Sequence, residues 1–269
     1  MDRNRINHTY IVSPGGVADF TTIQAAIDAA HARAPTETAS WLVYIYPGFY
    51  DEQLTLYDFV NLQGIGPVVI ANPGDVIVKT IATCRLQDLT FEADLRLISP
   101  AIRADVATAS LTLRGVRYGR PDAVGQTFLA LSAGAVTLED CLIDAGFPSY
   151  PVIDQSGGTL AIWRSSLQAS TLYATGTAVI KVGGTGASQE VSYSRLIANT
   201  SAALHALYFS SVPTASRWLH CAFHSGATAA AINNASGSSI AATFGHCAVN
   251  YARSGAFTGL NDVVVDSGV

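Results

Sequence analysis

Short alternations of apolar and polar residues recur along most of the chain at intervals of about two dozen residues. An alternation with a period of two is typical of a strand with one buried face, so each copy predicts a short β-strand. The first apolar position of the successive copies falls at Leu62, Leu86, Leu113, Leu138, Ile162, Val191, Trp218 and Phe244. We expect these side chains to stack in one inward file, which we call the inner file.

The segments between the copies are rich in turn-forming residues, as at 154–158 and 183–188. Strand signals at a steady period, separated by turns, predict a parallel β-solenoid. Helical repeats have similar periods, but no copy carries the apolar i, i+3, i+4, i+7 stripe of a helix. The sequence therefore predicts an all-β fold of about eight to nine coils.

One segment near the N-terminus has the pattern of a helix. Thr21–Gln24 matches a capping box, and Ala34-Pro35 follows as an end signal. The apolar stripe between them consists of Ile23, Ala26, Ile27 and Ala30. Because the open end of a solenoid exposes its core, we expect this helix to cover it. Residues 1–40 are predicted to form an N-terminal arm and capping helix, and residues 41–269 one continuous β-helix. The segment 261–266 predicts a last strand, an edge that could pair with another copy.

The fourth position of each copy is predicted to point inward as well. These residues are Ile65, Leu89, Val116, Cys141, Ser165, Ser194, Cys221 and Cys247. Parallel side chains on adjacent coils suit a disulfide poorly. We therefore expect the cysteines to be reduced packing groups, and neither redox nor metal sites.

Composition narrows the functional classes. The chain is 49% hydrophobic and only 13% charged, with a net charge of −5, against about 25% charged residues in ordinary soluble domains. This balance argues against disorder and against a partner such as nucleic acid. No apolar run approaches the roughly 18 residues of a membrane span. The few charges predict solenoid flanks that pack against copies of the chain. The N-terminus has no apolar signal region, so synthesis without export is expected.

The opening quarter of the chain resembles the pectinesterase-like and pectin-lyase-like right-handed β-helix proteins. The resemblance is carried by a capping-helix segment, a strand ending in Pro-Gly-Phe-Tyr and a glycine-flanked coil, at residues 19–28, 43–50 and 62–66. It implies a single-stranded right-handed parallel β-helix with an N-terminal capping helix. Phage tail spikes and other virion proteins share this opening, so the resemblance implies the fold and not an activity.

The catalytic motifs of these families are incomplete. The segment Tyr118-Gly-Arg-Pro121 looks like the Gly-Arg-Pro motif of pectinesterases, yet the Asp-Phe-Ile-Phe-Gly segment is missing. Arg120 thus has no evident nucleophile to orient. The Asn-Thr-Asp and Arg-Ile-Lys motifs of polygalacturonases are absent, and Gly245-His246 echoes only a fragment of Gly-His-Gly. No catalytic residue and no cofactor is predicted.

Two outward columns bring polar and aromatic residues together on one predicted face. This candidate face consists of Arg114, Glu139, Asp140, Trp163, Arg164 and Tyr193. Aromatic rings that stack on sugars, beside arginines and carboxylates that hold hydroxyls, indicate a saccharide platform. Aromatic and arginine residues are equally typical of a seam between subunits, with Asp140 and Arg164 as a cross-strand pair. The sequence favours the interpretation as a seam between subunits and leaves the saccharide platform open as the alternative.

Histidines and aspartates elsewhere in the chain are further candidates for a metal site or a carboxylate pair. Stacked His220 and His246, with His224 nearby, have no acidic or thiolate ligand beside them, so no metal site is predicted. Asp122, Asp144 and Asp154 are expected in loops, where they could approach Glu139 and complete a carboxylate pair.

The sequence favours a non-catalytic structural or adhesive protein. The expectation is a homotrimeric virion surface component, such as a tail spike, fibre or capsid decoration, whose partners are itself, other virion proteins or a cell-surface polysaccharide. The alternative is a carbohydrate-active enzyme or a lectin-like module, located outside the cell.

Overall fold

The computed structural model describes most of the chain. The described residues are 8–16, 18–71, 77–80, 82–92, 100–119, 124–125, 127–145, 147–148, 150–170, 178–184, 186–199, 205–225, 231–249, 257–260 and 263–265. Arg120 and Asp122 lie outside these ranges. Among the described residues, no helix is both long and apolar enough to cross a membrane.

Three parallel sheets, to which the chain returns in the same order on each coil, form the molecule. Sheet 1 has eleven strands: Thr9–Val12, Trp41–Ile45, Val60–Gly64, Cys84–Gln87, Ser110–Arg114, Ala135–Glu139, Thr159–Trp163, Ser188–Ser192, Ala215–Leu219, Ile240–Gly245 and Phe257–Leu260. Sheet 2 has ten strands: Gly48–Asp51, Val68–Ala71, Thr90–Glu92, Arg117–Gly119, Leu142–Asp144, Ser166–Ser170, Arg195–Asn199, Ala222–His224, Cys247–Val249 and Val263–Val265.

Sheet 3 closes the coil with eight strands: Leu54–Thr55, Val78–Thr80, Ile102–Ala104, Leu129–Leu131, Ile153–Gln155, Ala178–Val182, His205–Phe209 and Ile232–Asn234. A separate parallel pair joins Val124–Gly125 to Phe147–Pro148. The predicted all-β parallel solenoid is therefore confirmed. Thr9–Val12, from the N-terminal arm, is the outermost strand of sheet 1, and the expected tail strand runs from Val263 to Val265.

The inner file is in register throughout sheet 1. Leu62 pairs with Leu86, Leu86 with Leu113, and the pairing continues through Trp218 and Phe244. All eight side chains of the file are buried. Because inward residues of one sheet meet those of the other two, the result is one continuous apolar core.

Aromatic side chains fill the core near the C-terminal coils. Trp218 lies with its ring centroid 5.4 Å from that of Phe223 and 6.2 Å from that of Phe244. Its indole nitrogen donates a hydrogen bond of 2.7 Å to Ser216 Oγ. The buried polar atom of the largest side chain is thereby satisfied.

The capping helix spans Ile23–His31, and its predicted apolar stripe is fully buried. The predicted capping box is wrong. The N-cap is Thr22, which makes no side-chain capping bond. Instead, the carboxylate of Glu52 accepts hydrogen bonds of 2.9 Å from the backbone N–H groups of Ile23 and Gln24. Since Glu52 lies far along the chain, the local pattern could not indicate this cap.

The fourth positions of the copies point inward from Leu89 to Cys247, as predicted, with the exception of Ile65. That side chain is 41% exposed, beside the equally exposed Tyr46 on the preceding coil. In this early coil the positive φ falls at Gly66 and not at Gly64, so the chain turns two residues later than in the other coils.

The cysteines are free and buried, as expected. Each thiol of the fourth-position column donates to a backbone carbonyl: Cys141 to Glu139, Cys221 to Leu219 and Cys247 to Gly245. Ser165 and Ser194 replace thiols in the middle of this column and bond in the same way. Burial raises the pKa of Cys141 to about 11, so its neutral thiol is the stable form near neutral pH.

Candidate functional site

A left-handed backbone turn lies at the corner between sheets 1 and 2. One residue per coil has φ between 48° and 61°, and we call this column the corner ridge: Asp88, Gly115, Asp140, Arg164, Tyr193, His220 and His246. A single left-handed residue redirects the chain sharply from one sheet to the next. For a residue with a Cβ this conformation costs about 1 kcal/mol or more. Glycine and aspartate in three of these positions were the signal for it in the sequence.

Side chains of the corner ridge stack directly upon one another. The guanidinium of Arg164 donates two hydrogen bonds, of 2.8 and 3.0 Å, to the carboxylate of Asp140. The ring of Tyr193 stacks on His220 with centroids 4.8 Å apart, and His220 stacks on His246 at 5.0 Å. The centroid distances match the spacing between adjacent strands of a sheet, about 4.8 Å.

A second column runs beside the ridge on the outer face of sheet 1. Arg114, Glu139 and Trp163 are neighbours in the sheet register. Arg114 Nε lies 3.9 Å from Glu139 Oε2, and the Trp163 side chain is 39% exposed. The structure thus brings all six residues of the candidate face together at the corner of sheet 1.

The carboxylates of the candidate face lie beside arginines. Hydrogen bonds from Arg164 hold the pKa of Asp140 below its ordinary value, and the charge of Arg114 adds to this effect. A general acid in glycoside cleavage needs the opposite shift, a raised pKa. Asp140 is therefore suited to holding hydroxyl groups and not to donating a proton.

The expectation that Asp122, Asp144 and Asp154 lie in loops is wrong for two of them. Asp144 lies on a strand of sheet 2 and Asp154 on a strand of sheet 3. Asp154 Oδ1 lies 3.8 Å from Lys181 Nζ, a neighbour in the same sheet. These strands belong to sheets other than that of Glu139, so neither residue is its neighbour in the sheet register.

Imidazoles of the ridge are arranged as a stack. The planes of His220 and His246 differ by 11°, and parallel rings at this distance do not converge on one ion as tetrahedral ligands do. His224 lies on sheet 2. Within the described ranges, no group of three or more histidine, cysteine, aspartate or glutamate side chains could hold a metal ion.

A groove that the sequence analysis missed adjoins the candidate face. It has a volume of about 630 Å³ and lies over the N-terminal half of sheet 1, beside the loop after the helix. Its polar lining includes Glu37, Ser40, Asn61, Gln63, Thr83, Arg85, Gln87, Ser110 and Thr112. The outward amides of Asn61, Gln63 and Gln87 were a signal in the sequence, but the wall formed by the loop is a tertiary feature.

The groove and the candidate face form one continuous surface, which we call the sheet 1 face. Gln87 in the groove pairs in register with Arg114, and Arg114 pairs with Glu139. A chain-like ligand that entered the groove would pass along these neighbours to Trp163. The combined surface offers amides, hydroxyls, charged pairs and aromatic rings in one line.

Comparison with known proteins identifies the fold. No protein-family model matches the sequence, and no curated protein does. Among solved structures, the chain is similar to pectin methylesterase PemA from Erwinia chrysanthemi, with 15% identity, a TM-score of 0.58 and coverage of 85% of this chain and 79% of that one. A pectin methylesterase mutant in complex with a hexasaccharide gives 16% identity, a TM-score of 0.51 and coverage of 85% and 80%.

The A-module of the Azotobacter vinelandii mannuronan C-5 epimerase AlgE6 aligns with 16% identity and a TM-score of 0.34, over 90% of this chain and 92% of that one. The two pectin methylesterase matches confirm that the chain has the right-handed parallel β-helix fold of the pectin lyase-like proteins. At these identities the likeness concerns the fold alone.

Proposed function

We propose that this protein is a saccharide-binding, adhesive β-helix that holds a glycan along the sheet 1 face without cleaving it. The observation that carries the proposal is the pair of exposed aromatic side chains beside ion-paired residues. Trp163 and Tyr193 are 39% and 63% exposed on a rigid sheet corner. Exposed aromatic surface of this size is unfavourable in water and is commonly retained for binding.

The backbone of the corner ridge gives independent support. Arg164, Tyr193, His220 and His246 occupy left-handed positions, where glycine would avoid a cost of about 1 kcal/mol. Strain of this kind persists at sites where the side chain has a use. Their use here is to build a ridge of stacked side chains along one wall of the binding surface.

The proposal favours binding over catalysis because of the carboxylates. Glu139 lies near Arg114, and Asp140 is held as an anion by Arg164. Acid–base cleavage of a glycan requires one protonated and one ionised carboxyl group. Carboxylates that lie beside arginines, with Asp140 held as an anion, suit hydrogen bonding to sugar hydroxyls.

We further propose that the protein acts as a homotrimer on a virion surface. The low charge content supports self-association. The exposed apolar side chains of sheet 2, Phe49 and Leu142, support placing the subunit seam on that sheet. The sheet 1 face then stays open to its ligand.

Binding to immobilised plant and bacterial polysaccharides tests the saccharide proposal. We expect the wild-type protein to bind at least one glycan, and the double variant Trp163→Ala with Tyr193→Ala to bind roughly tenfold or more weakly, the equivalent of about 1.4 kcal/mol. Tyr150→Ala is the matched control, since Tyr150 is an exposed aromatic residue in a different region. It should bind like the wild type.

Two results would count against the proposal. Binding that survives loss of both aromatic side chains would remove the sheet 1 face as the site. Release of methanol, acetate or new reducing ends from any of the polysaccharides, abolished by Glu139→Gln, would show an enzyme in place of an adhesive protein.

A further inference from the structure

Three arginines of the sheet 1 face each lie opposite a carboxylate. Arg164 Nε lies 2.8 Å from Asp140 Oδ1. Arg217 Nη1 lies 3.5 Å from Glu190 Oε1, and the Arg114–Glu139 pair lies at 3.9 Å. Each pair spans two adjacent coils of the solenoid. The positive charge of these three arginines is thus matched locally by an acid on an adjacent coil.

In the adjoining groove, too, positive and negative side chains are equal in number. It is lined by one arginine, Arg85, and one glutamate, Glu37. The remaining acid of the surface, Asp88, accepts a hydrogen bond of 3.0 Å from the Gln87 amide. The described charged side chains of the sheet 1 face are therefore four arginines and five carboxylates: Arg85, Arg114, Arg164 and Arg217, with Glu37, Asp88, Glu139, Asp140 and Glu190.

A polyanion binds where positive charge exceeds negative charge along its path, because opposite potentials attract and like potentials repel. On the sheet 1 face an incoming carboxylate or sulfate would meet at least as many acids as arginines, and three of the four arginines are already paired. A neutral sugar does not need an excess of positive charge along its binding path. Its hydroxyls both donate and accept, and the face offers acceptors in the acids and donors in the arginines and amides.

We infer that the ligand of the sheet 1 face is a neutral glycan, and not a uronic acid or sulfated polymer. The inference rests on the proposed saccharide binding and names its ligand class. Trp163 gives the position of one sugar. Its indole is 39% exposed and its next neighbour in the register is the small Ser192, so a sugar ring can reach the indole from solvent. Apolar sugar faces stack on such a ring.

The test uses polysaccharides in matched pairs. Each uronate-containing polymer is compared with its own carboxyl-reduced form, which keeps the backbone and loses the charge, and affinities are measured by biolayer interferometry at low and high salt. We expect the reduced, neutral member to bind roughly tenfold tighter, with an affinity that changes less than about twofold as salt rises. Equal affinities, or tighter binding of the anionic member that weakens with salt, overturn the inference while saccharide binding stands. If no polymer binds in either form, the proposed function itself is overturned.

A variant with altered charge gives a second, independent test of the preference for a neutral glycan. The double change Glu139→Gln with Asp140→Asn leaves Arg114 and Arg164 without their partners. We expect the ratio of anionic to neutral affinity to rise about tenfold. The control is Asp154→Asn with Glu92→Gln, which removes the same charge from sheets 3 and 2. An equal rise in the control would mean that net charge sets the preference, and would contradict the assignment to paired arginines.

Discussion

At the scale of single residues, the corner ridge combines a strained backbone with a specific electrostatic pair. Asp140 and Arg164 both have positive φ, on adjacent coils. The turn points both side chains the same way, and their two hydrogen bonds follow from that direction. The position of the pair in the columns could be predicted from the sequence; its bidentate geometry depends on the left-handed turns.

The ion pair of Asp140 and Arg164 leads to a prediction about the pKa of Asp140. Because Arg164 stabilises the charged form, the pKa of Asp140 lies below its ordinary value in the folded protein. A lowered folded-state pKa means that the pair stabilises the fold above the unfolded-state pKa, and that this contribution is lost as pH falls through the folded-state pKa. Titration of the Asp140 carboxyl by NMR should give a value below 3.8, the ordinary one. In Arg164→Gln the pKa should rise; an unchanged value would show that the pair is absent in solution.

At the scale of elements, the capping helix depends on a residue from another coil. Glu52 accepts from the first two backbone N–H groups of the helix. The side chain of Gln24 meanwhile accepts a hydrogen bond of 2.8 Å from the Thr55 N–H and donates one of 3.2 Å to the Thr55 carbonyl. These two hydrogen bonds join the helix to the first strand of sheet 3, Leu54–Thr55. The helix is thereby fixed over the end of the core.

Loss of the Glu52 carboxylate should destabilise the protein. Glu52→Ala leaves two helix N–H groups without partners, and we expect the free energy of unfolding to fall by about 1 to 2 kcal/mol. Urea denaturation followed by circular dichroism measures the change. Glu37→Ala, an exposed residue of the loop after the helix, is the control and should change stability by less than about 0.5 kcal/mol. Equal effects of the two changes would contradict the capping role.

At the scale of the whole molecule, the solenoid presents two different flanks. The outer face of sheet 1 is polar and charged, whereas sheet 2 exposes Phe49 and Leu142 in one outward column, at 60% and 49%. Apolar side chains on a flank are typical of subunit contacts. The proposed trimer and the proposed glycan site therefore occupy separate sides.

Mass in solution tests this arrangement. Light scattering at micromolar concentration should give three times the chain's 28.2 kDa, and Phe49→Glu with Leu142→Glu should reduce the mass to that of one chain, since charge on an apolar seam is costly. A changed pair on sheet 3, Asp154→Asn with Lys181→Gln, should leave the trimer intact. A wild-type protein that is monomeric would contradict self-association.

The alternation and its period were sufficient to predict the inner file, the parallel β-solenoid and the free cysteines. They were sufficient because burial of every second residue is a local pattern that repeats. The exception, Ile65, shows the limit: its coil turns at Gly66, two residues later, and the side chain faces solvent.

Only the tertiary structure decided where distant residues meet. The sequence placed Arg114, Glu139, Asp140, Trp163, Arg164 and Tyr193 on one face, because stacking converts a constant period into contact. It could not supply the Glu52 cap, the groove walled by the loop after the helix, or the strands that carry Asp144 and Asp154 away from that face. Those features depend on how loops and coils of unequal length close in three dimensions, and no periodic pattern records that closure.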